Sequence, residues 1–265
     1  MFQGYNLNLQ QDTAFFDAYY EAGKMLYKDQ EDRVIKKLEY FKDLSNVLKA
    51  EDIIKEWFPE IEADIFLSHS HQDEELVISL AGWLKEKFGL VSFIDSTVWG
   101  YADKLLKEID MEYCVLPSGR FDYKKRNYST AHVHMMLSSA LACMMDKCEC
   151  LFFVNTPQSF FPEKEMQEGK TLSPWIFFEI STSKIIRRIV RRKSADLASR
   201  KLSLETIDES LVVEYQLDLN HLRNIDIATL QRWSSKRNLP PYHFTQSLHP
   251  LDALYYLCEK KDESR

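Results

Sequence analysis

Residues 63–75, Ala-Asp-Ile-Phe-Leu-Ser-His-Ser-His-Gln-Asp-Glu-Glu, decide how the chain is read. Ile65, Phe66 and Leu67, flanked by Ala63, Asp64 and Ser68, form an apolar run of the length expected for a buried strand. A polar stretch from His69 to Glu75 follows. Leu76, Leu80, Trp83, Leu84 and Phe88 then recur at helical spacing, and Gly89 stands where a left-handed residue ends a helix. Leu90 to Ile94 is a second short apolar run, closed by Asp95. Strand, helix and strand in this order make a βαβ unit, whose crossover implies a parallel sheet.

Outward from this unit the pattern repeats. Downstream, Ser96–Gly100 is read as a loop, residues 102–112 as a helix and residues 113–129, rich in Pro, Gly and basic side chains, as an inserted surface loop. Ser129 or Thr130 is the expected cap of a helix reaching Lys147. Cys150–Val154 is the third strand, and residues 155–172 form a polar loop. Ser173-Pro174 announces a helix to about Arg192, because Ser caps well and Pro suits the first helical position. Leu211–Tyr215 is the fourth strand, Ile227–Lys236 a helix, Tyr242–Phe244 a fifth strand and Leu251–Cys258 the closing helix. Upstream, Phe15, Tyr19, Ala22 and Leu26 predict one helix, and Val34, Leu38, Phe41 and Leu48 another, stopped by Pro59. These two read as a helical hairpin laid on a larger domain. The expected division is residues 1–60 as an N-terminal extension and 61–265 as an α/β domain with an insertion near 110–129.

Composition agrees with a soluble globular chain. Of 265 residues, 45% are hydrophobic and 28% charged, which excludes disorder throughout. Only 7 Gly and 8 Pro occur, against collagen-like or low-complexity architecture. The net charge of -7 repels polyanions, so nucleic acid is disfavoured as a partner. No apolar run reaches the roughly 18–20 residues that span a bilayer, so no membrane association is expected. The opening residues lack a basic segment followed by an apolar one, and 5 cysteines is an odd number. A cytoplasmic chain with free thiols is the expectation.

Several of these pieces resemble one family. Asp64, Phe66, Ser68, His69 and Asp73 fit the first strand and following loop of bacterial TIR (Toll/interleukin-1 receptor) domains. Gly89 with Phe93-Ile94-Asp95 is similar to the second strand, and Trp99-Gly100 to the loop after it. Ser173, Trp175 and Glu179 match the Ser-x-Trp-x-x-x-Glu pattern of the helix that carries the catalytic glutamate in that family. The likeness covers residues 63–258 and departs at the long 110–129 stretch, at Asn155-Thr156-Pro157 and at the N-terminal hairpin. It implies a flavodoxin-like parallel sheet of about five strands with helices on both faces.

In such a sheet, ligands bind outside the carboxyl ends of the strands. Trp175 and Glu179 are four residues apart and share a helix face. One crevice is therefore expected to collect Ser68, His69, Asp73, Asp95, Trp99, Ser173, Trp175 and Glu179. The resemblance implies cleavage of the nicotinamide–ribose bond of NAD, with Glu179 as the catalytic carboxylate against an oxocarbenium-like transition state. Trp99 or Trp175 would stack on a ring of the substrate. Neither a metal nor a cofactor beyond NAD as substrate is implied. Water as acceptor gives ADP-ribose, and an internal acceptor gives a cyclic isomer, the kind of signal made by TIR proteins of Thoeris-type phage defence and read by a separate effector. Self-association through TIR surfaces or the N-terminal helices is a further expectation.

Plainer roles stand beside these. Asp73 is well placed to cap the first helix of the βαβ unit, Trp175 to pack its helix on the sheet, and Asp95 to end a strand. His132-x-His134 and Cys148-x-Cys150 lack metal-ligand spacing. The basic run at Arg187–Lys193 suits a helix C-terminus. The rival functions are a non-enzymatic TIR scaffold and a deoxyribosyltransferase-like nucleotide handler.

Overall fold

The computed structural model describes residues 3–10, 13–31, 48–58, 60–159, 170–171, 173–186, 215–236 and 249–263. Five strands form one parallel sheet: β1 (Gln3–Asn8), β2 (Ile65–Ser68), β3 (Ser92–Ile94), β4 (Cys150–Asn155) and β7 (Arg223–Asp226), in the order β3-β2-β4-β1-β7. Two further short strands, β5 (Lys170–Thr171) and β6 (Tyr215–Gln216), pair antiparallel with each other. The helices are α1 (Tyr20–Glu31), α2 (Ala50–Trp57), α3 (Glu74–Phe88), α4 (Ser96–Tyr113), α5 (Tyr123–Lys147), α6 (Pro174–Ile185), α7 (Ile227–Lys236) and α8 (Pro250–Glu263).

This is an α/β architecture of the flavodoxin-like kind, with helices on both faces of the sheet. The pleat sorts the side chains. Phe66, Phe93, Leu151 and Phe153 point to one face, where α2, α4, α5 and α6 pack; Ile65, Leu67, Ile94, Phe152 and Val154 point to the other, covered by α1, α3, α7 and α8. Burial on both faces is why β2, β3 and β4 read as unbroken apolar runs.

Two strands of the sheet were not legible in the sequence. β1 and β7 alternate apolar and polar residues, and their amides are satisfied sideways. Asn155 Nδ2 donates to Asn6 Oδ1 at 2.9 Å, and Asn6 Nδ2 donates to Asn224 Oδ1 at 2.8 Å, a ladder across three strands. β1 thus lies inside the sheet, between β4 and β7, and residues 1–60 are not wholly an added helical layer. A doubly wound sheet of order 2-1-3-4-5 has its fourth strand where β1 lies here. Of the expected fourth strand, 211–215, only Tyr215 is among the described residues, and with Gln216 it pairs with β5 outside the main sheet. The expected fifth strand at 242–244, the helix at 34–47 and the basic run at 187–193 lie outside the described residues.

Three local expectations are also corrected. Ser96–Gly100 is not a loop but the first turn of α4, which starts directly after Asp95. The insertion expected at 110–129 shrinks to a short hairpin with a bridge between Val115 and Phe121. Asp122, rather than Ser129 or Thr130, caps α5 by accepting from the Lys125 amide at 3.1 Å. Ser129 lies inside α5, where its hydroxyl bonds Asp110 and the Arg126 carbonyl. The Gly89 cap of α3 is as expected, with φ 72°.

α1 crosses α3 with their backbones in close approach. A Cβ on Gly23 would come within 1.8 Å of the Ile78 carbonyl oxygen, and one on Gly82 within 2.1 Å of the Tyr19 carbonyl oxygen. Only backbone faces backbone there, so no side chain can rotate away. Beside the crossing, Trp83 meets Phe15, Phe16, Phe88 and Trp233 edge-on, and Phe88 stacks on Trp233 at 3.8 Å.

Gly82→Ala should therefore destabilise the fold by about 2–4 kcal/mol, because the helices must separate; urea unfolding measures it, and a loss below about 0.5 kcal/mol contradicts the contact. Deleting residues 1–10 should abolish cooperative unfolding. A truncated chain that melts like the full chain would show β1 to be dispensable.

Candidate functional site

The pleat that builds the core also builds the site. Two residues beyond Phe66, Phe93 and Phe153, on the same face, stand Ser68, Asp95 and Asn155. The polar residue of each pair falls at the carboxyl end of its strand, on the side that α6 covers. Asn6 and Asn224 continue the row on β1 and β7. Sheet order puts β2 beside β4, and the connections leaving them run to opposite sides of the sheet. That is the topological switch point at which such sheets hold ligands.

α6 brings the acidic side chain to this edge. Ser173 caps the helix by accepting from the Ile176 amide at 3.3 Å, and Pro174 fills the first position. The far end is tied down twice. Ser183 donates to the Ile180 carbonyl and meets His221 Nε2 at 2.7 Å, and Lys184 donates to Asp218 at 2.9 Å. Glu179 is thereby held fully buried, with Ser68, His69 and Asp95 beside it, all fully buried.

His69 Nδ1 stands 2.6 Å from Asp95 Oδ1 and 3.4 Å from the Leu67 carbonyl oxygen. Both neighbours are acceptors, which assigns the proton to Nδ1. Burial holds the imidazole below its usual pKa, against the pull of Glu179. Burial also pushes Asp95 up to about 8. Glu179 rises well above the ordinary carboxyl range, first through burial and then through the charge of Asp95. Two carboxylates cannot both ionise side by side out of water, so the pair keeps a proton at neutral pH. Placed on Glu179, that proton is shared with Asp95.

The expected residues divide. Ser68, His69, Asp95 and Glu179 meet. Asp73 sits at the start of α3 but does not cap it; its carboxylate accepts from Thr156 Oγ1 at 2.5 Å, which ties the loop after β2 to the loop after β4. Asp73 still acts electrostatically on His69. Ser173 serves as the helix cap. Trp175 is half-buried against α5, its ring edge-on to His134 at 5.6 Å. Trp99 lies on the first turn of α4, and its side chain is outside the described residues.

Three participants escaped the sequence reading. Thr156 was visible only as an unusual Asn-Thr-Pro after β4. Glu74 accepts from Tyr27 at 2.6 Å and from Ser96 at 3.0 Å, linking α1, α3 and α4 beside His69. The amide row of Asn155, Asn6 and Asn224 needed β1 and β7 to be recognised as strands. Among the described residues no group of three His, Cys, Asp or Glu side chains could hold a metal ion, and no helix is long and apolar enough to cross a membrane.

The pKa directions give a pH dependence. Asp95 and Glu179 bind protons in the folded state that the unfolded chain has released above about pH 4, so stability falls as pH rises toward about 8. His69 works the other way, because only the unfolded chain binds its proton, but that contribution is complete above about pH 6.5. Between these values the carboxyl contribution stands alone, at most about 1.4 kcal/mol per pH unit per proton. The double variant Asp95→Asn/Glu179→Gln should show a flatter decline in urea-unfolding free energy over this window. An unchanged slope would place the extra proton elsewhere.

No family model, no curated protein and no solved structure matches this chain.

Proposed function

We propose that the chain cleaves an N-glycosidic bond of a nucleotide, with NAD as substrate and Glu179 as the catalytic carboxyl group. The observation that carries this reading is the meeting of Glu179 with Ser68, His69 and Asp95 at the carboxyl edge of the sheet. An oxocarbenium-like transition state needs negative charge beside the ribose, supplied in a place from which water is excluded. A buried carboxyl pair is suited to this. While the site is empty the pair carries one shared proton and a single negative charge, and the positive nicotinamide ring of an entering substrate favours release of that proton to solvent before the site closes. Glu179 then faces the sugar as a carboxylate. Asp95 holds His69, and Ser68 is placed to bond a ribose hydroxyl. Nicotinamide leaves as a neutral ring and needs no protonation.

The carboxyl group is enclosed in this conformation, so substrate entry requires displacement of the side chains that cover it. Beyond the reacting end, the amides of Asn155, Asn6 and Asn224 continue the polar edge, strand by strand at about 4.8 Å. A dinucleotide is long enough to lie along such a row. Attack by water yields ADP-ribose, and attack by the substrate's own adenosine half yields a cyclic isomer. A cyclic product would suit a diffusible signal in antiviral defence read by a second protein.

The proton held by Glu179 favours one other reaction. A carboxyl group that stays protonated can donate to a departing nucleobase, the chemistry of a deoxyribosyltransferase-like enzyme.

Chromatography of NAD incubated with the pure chain should show nicotinamide release. Glu179→Gln, nearly isosteric and free of charge, should lower the rate by about 100- to 1,000-fold with little change in melting temperature. Equal turnover by a folded Glu179→Gln variant removes Glu179 from the mechanism. Base exchange between nucleosides without nicotinamide release identifies the second chemistry. Capture of a TIR partner without turnover of either substrate leaves a scaffold.

A further inference from the structure

Away from the acidic cluster, an open cleft of about 530 Å³ lies between α2, α4 and α5. Its walls are apolar: Leu48, Ile53, Ile109, Met135 and Met136 line it, with Ile53, Ile109 and Met136 buried. A volume of this size falls in the range of small-molecule sites, and an apolar recess open to water favours an apolar guest. Methionine side chains adapt to the shape of such a guest.

The charges around the cleft select one end of that guest. Asp110, at its base, is already neutralised: Arg126 Nε donates to it at 2.9 Å, and the Ser129 hydroxyl bonds it too. No buried anion is left to repel a ligand. At the mouth, Lys125 and His132 are exposed, and the Lys125 ammonium has no carboxylate partner among the described residues. Residues 120–126 carry Arg120, Lys124, Lys125 and Arg126 against Asp122 alone, in a chain whose net charge is -7. Lys125 thus offers an exposed positive group at the opening of an apolar pocket, where an anionic head can pair with it.

We propose that this cleft binds a small amphiphile of the fatty-acid class, its hydrocarbon body on the methionines and its carboxylate on Lys125 at the mouth. The size of the cavity accommodates a single acyl chain, and its lining is mostly apolar, with Tyr113, Tyr128, Ser129 and His132 as the polar exceptions. The acid head remains at the wet rim, where an ion pair costs little desolvation.

Calorimetric titration of the full chain with laurate, kept below its micelle concentration, tests this. Saturable binding of one laurate per chain in the micromolar range is expected, with dodecanol about tenfold weaker. Lys125→Glu should weaken laurate by about tenfold and leave dodecanol unchanged. Lys125 is the third residue after the Asp122 cap, a position where Glu suits a helix, so the fold is not at stake. Ala50→Trp, placed from an exposed position on the lining, should abolish binding of both ligands. Absence of saturable laurate binding, or undiminished binding in Ala50→Trp, overturns the site. Equal laurate affinity in Lys125→Glu overturns the placement of the head. Binding to phosphatidylglycerol vesicles without binding of monomeric laurate overturns the proposal in favour of a membrane surface.

Discussion

Two carboxyl groups and an imidazole cannot be withdrawn from water together unless most of their charge is lost and what remains is paired. Asp95, Glu179 and His69 meet this condition by proximity: one carboxyl keeps its proton, the imidazole stays uncharged, and Nδ1 faces the remaining anion. Each group arrives on a different element, β2, β3 and α6. Any slip in the register of the sheet or in the seat of α6 would leave a buried charge without its partner. The Ser173 cap at one end of α6 and the Ser183–His221 and Lys184–Asp218 contacts at the other explain why that helix is pinned at both ends.

The wiring of the sheet follows a different constraint. β1 precedes the other described strands in sequence yet is an interior one in space, flanked by residues from 150–155 and 223–226. Its pairing closes long loops, and such contacts form late and cost chain entropy before they are repaid. The amide ladder from Asn155 through Asn6 to Asn224 specifies which strands belong together, since the buried amides of Asn155 and Asn6 need partners. The bare backbone contact at Gly23 and Gly82 performs a similar service between the helix that follows β1 and the helix that follows β2.

The enclosed cluster and the open cleft share a support. α4 begins beside Asp95 and ends at Tyr113, on the rim of the cleft; α5 lines the cleft with Met135 and Met136 and touches α6 through His134 and Trp175. Helices packed at crystal-like density move as units, so the two regions are mechanically connected through α4 and α5.

Local chemistry alone was enough for β2, β3 and β4, for the Gly89 end of α3 and for the Ser173-Pro174 start of α6. In each case the governing interaction lies within a few residues: a doubly buried strand must be apolar, and a cap bonds its own first turn. Strand ends and the family resemblance together pointed to Ser68, His69, Asp95 and Glu179, but did not separate them from Asp73, Trp99, Ser173 and Trp175. Local chemistry could not reveal β1 and β7, whose Asn side chains read as surface until their partners, 149 and 218 residues distant, are brought alongside. Nor could it show that Asp73 would leave its helix for Thr156, that Trp175 would turn to His134, or that Glu179 would be sealed from water. Those outcomes are set by which strands become neighbours and which helix covers their ends, because burial and pairing are properties of surfaces in contact, and contact between distant segments exists only once the chain has folded.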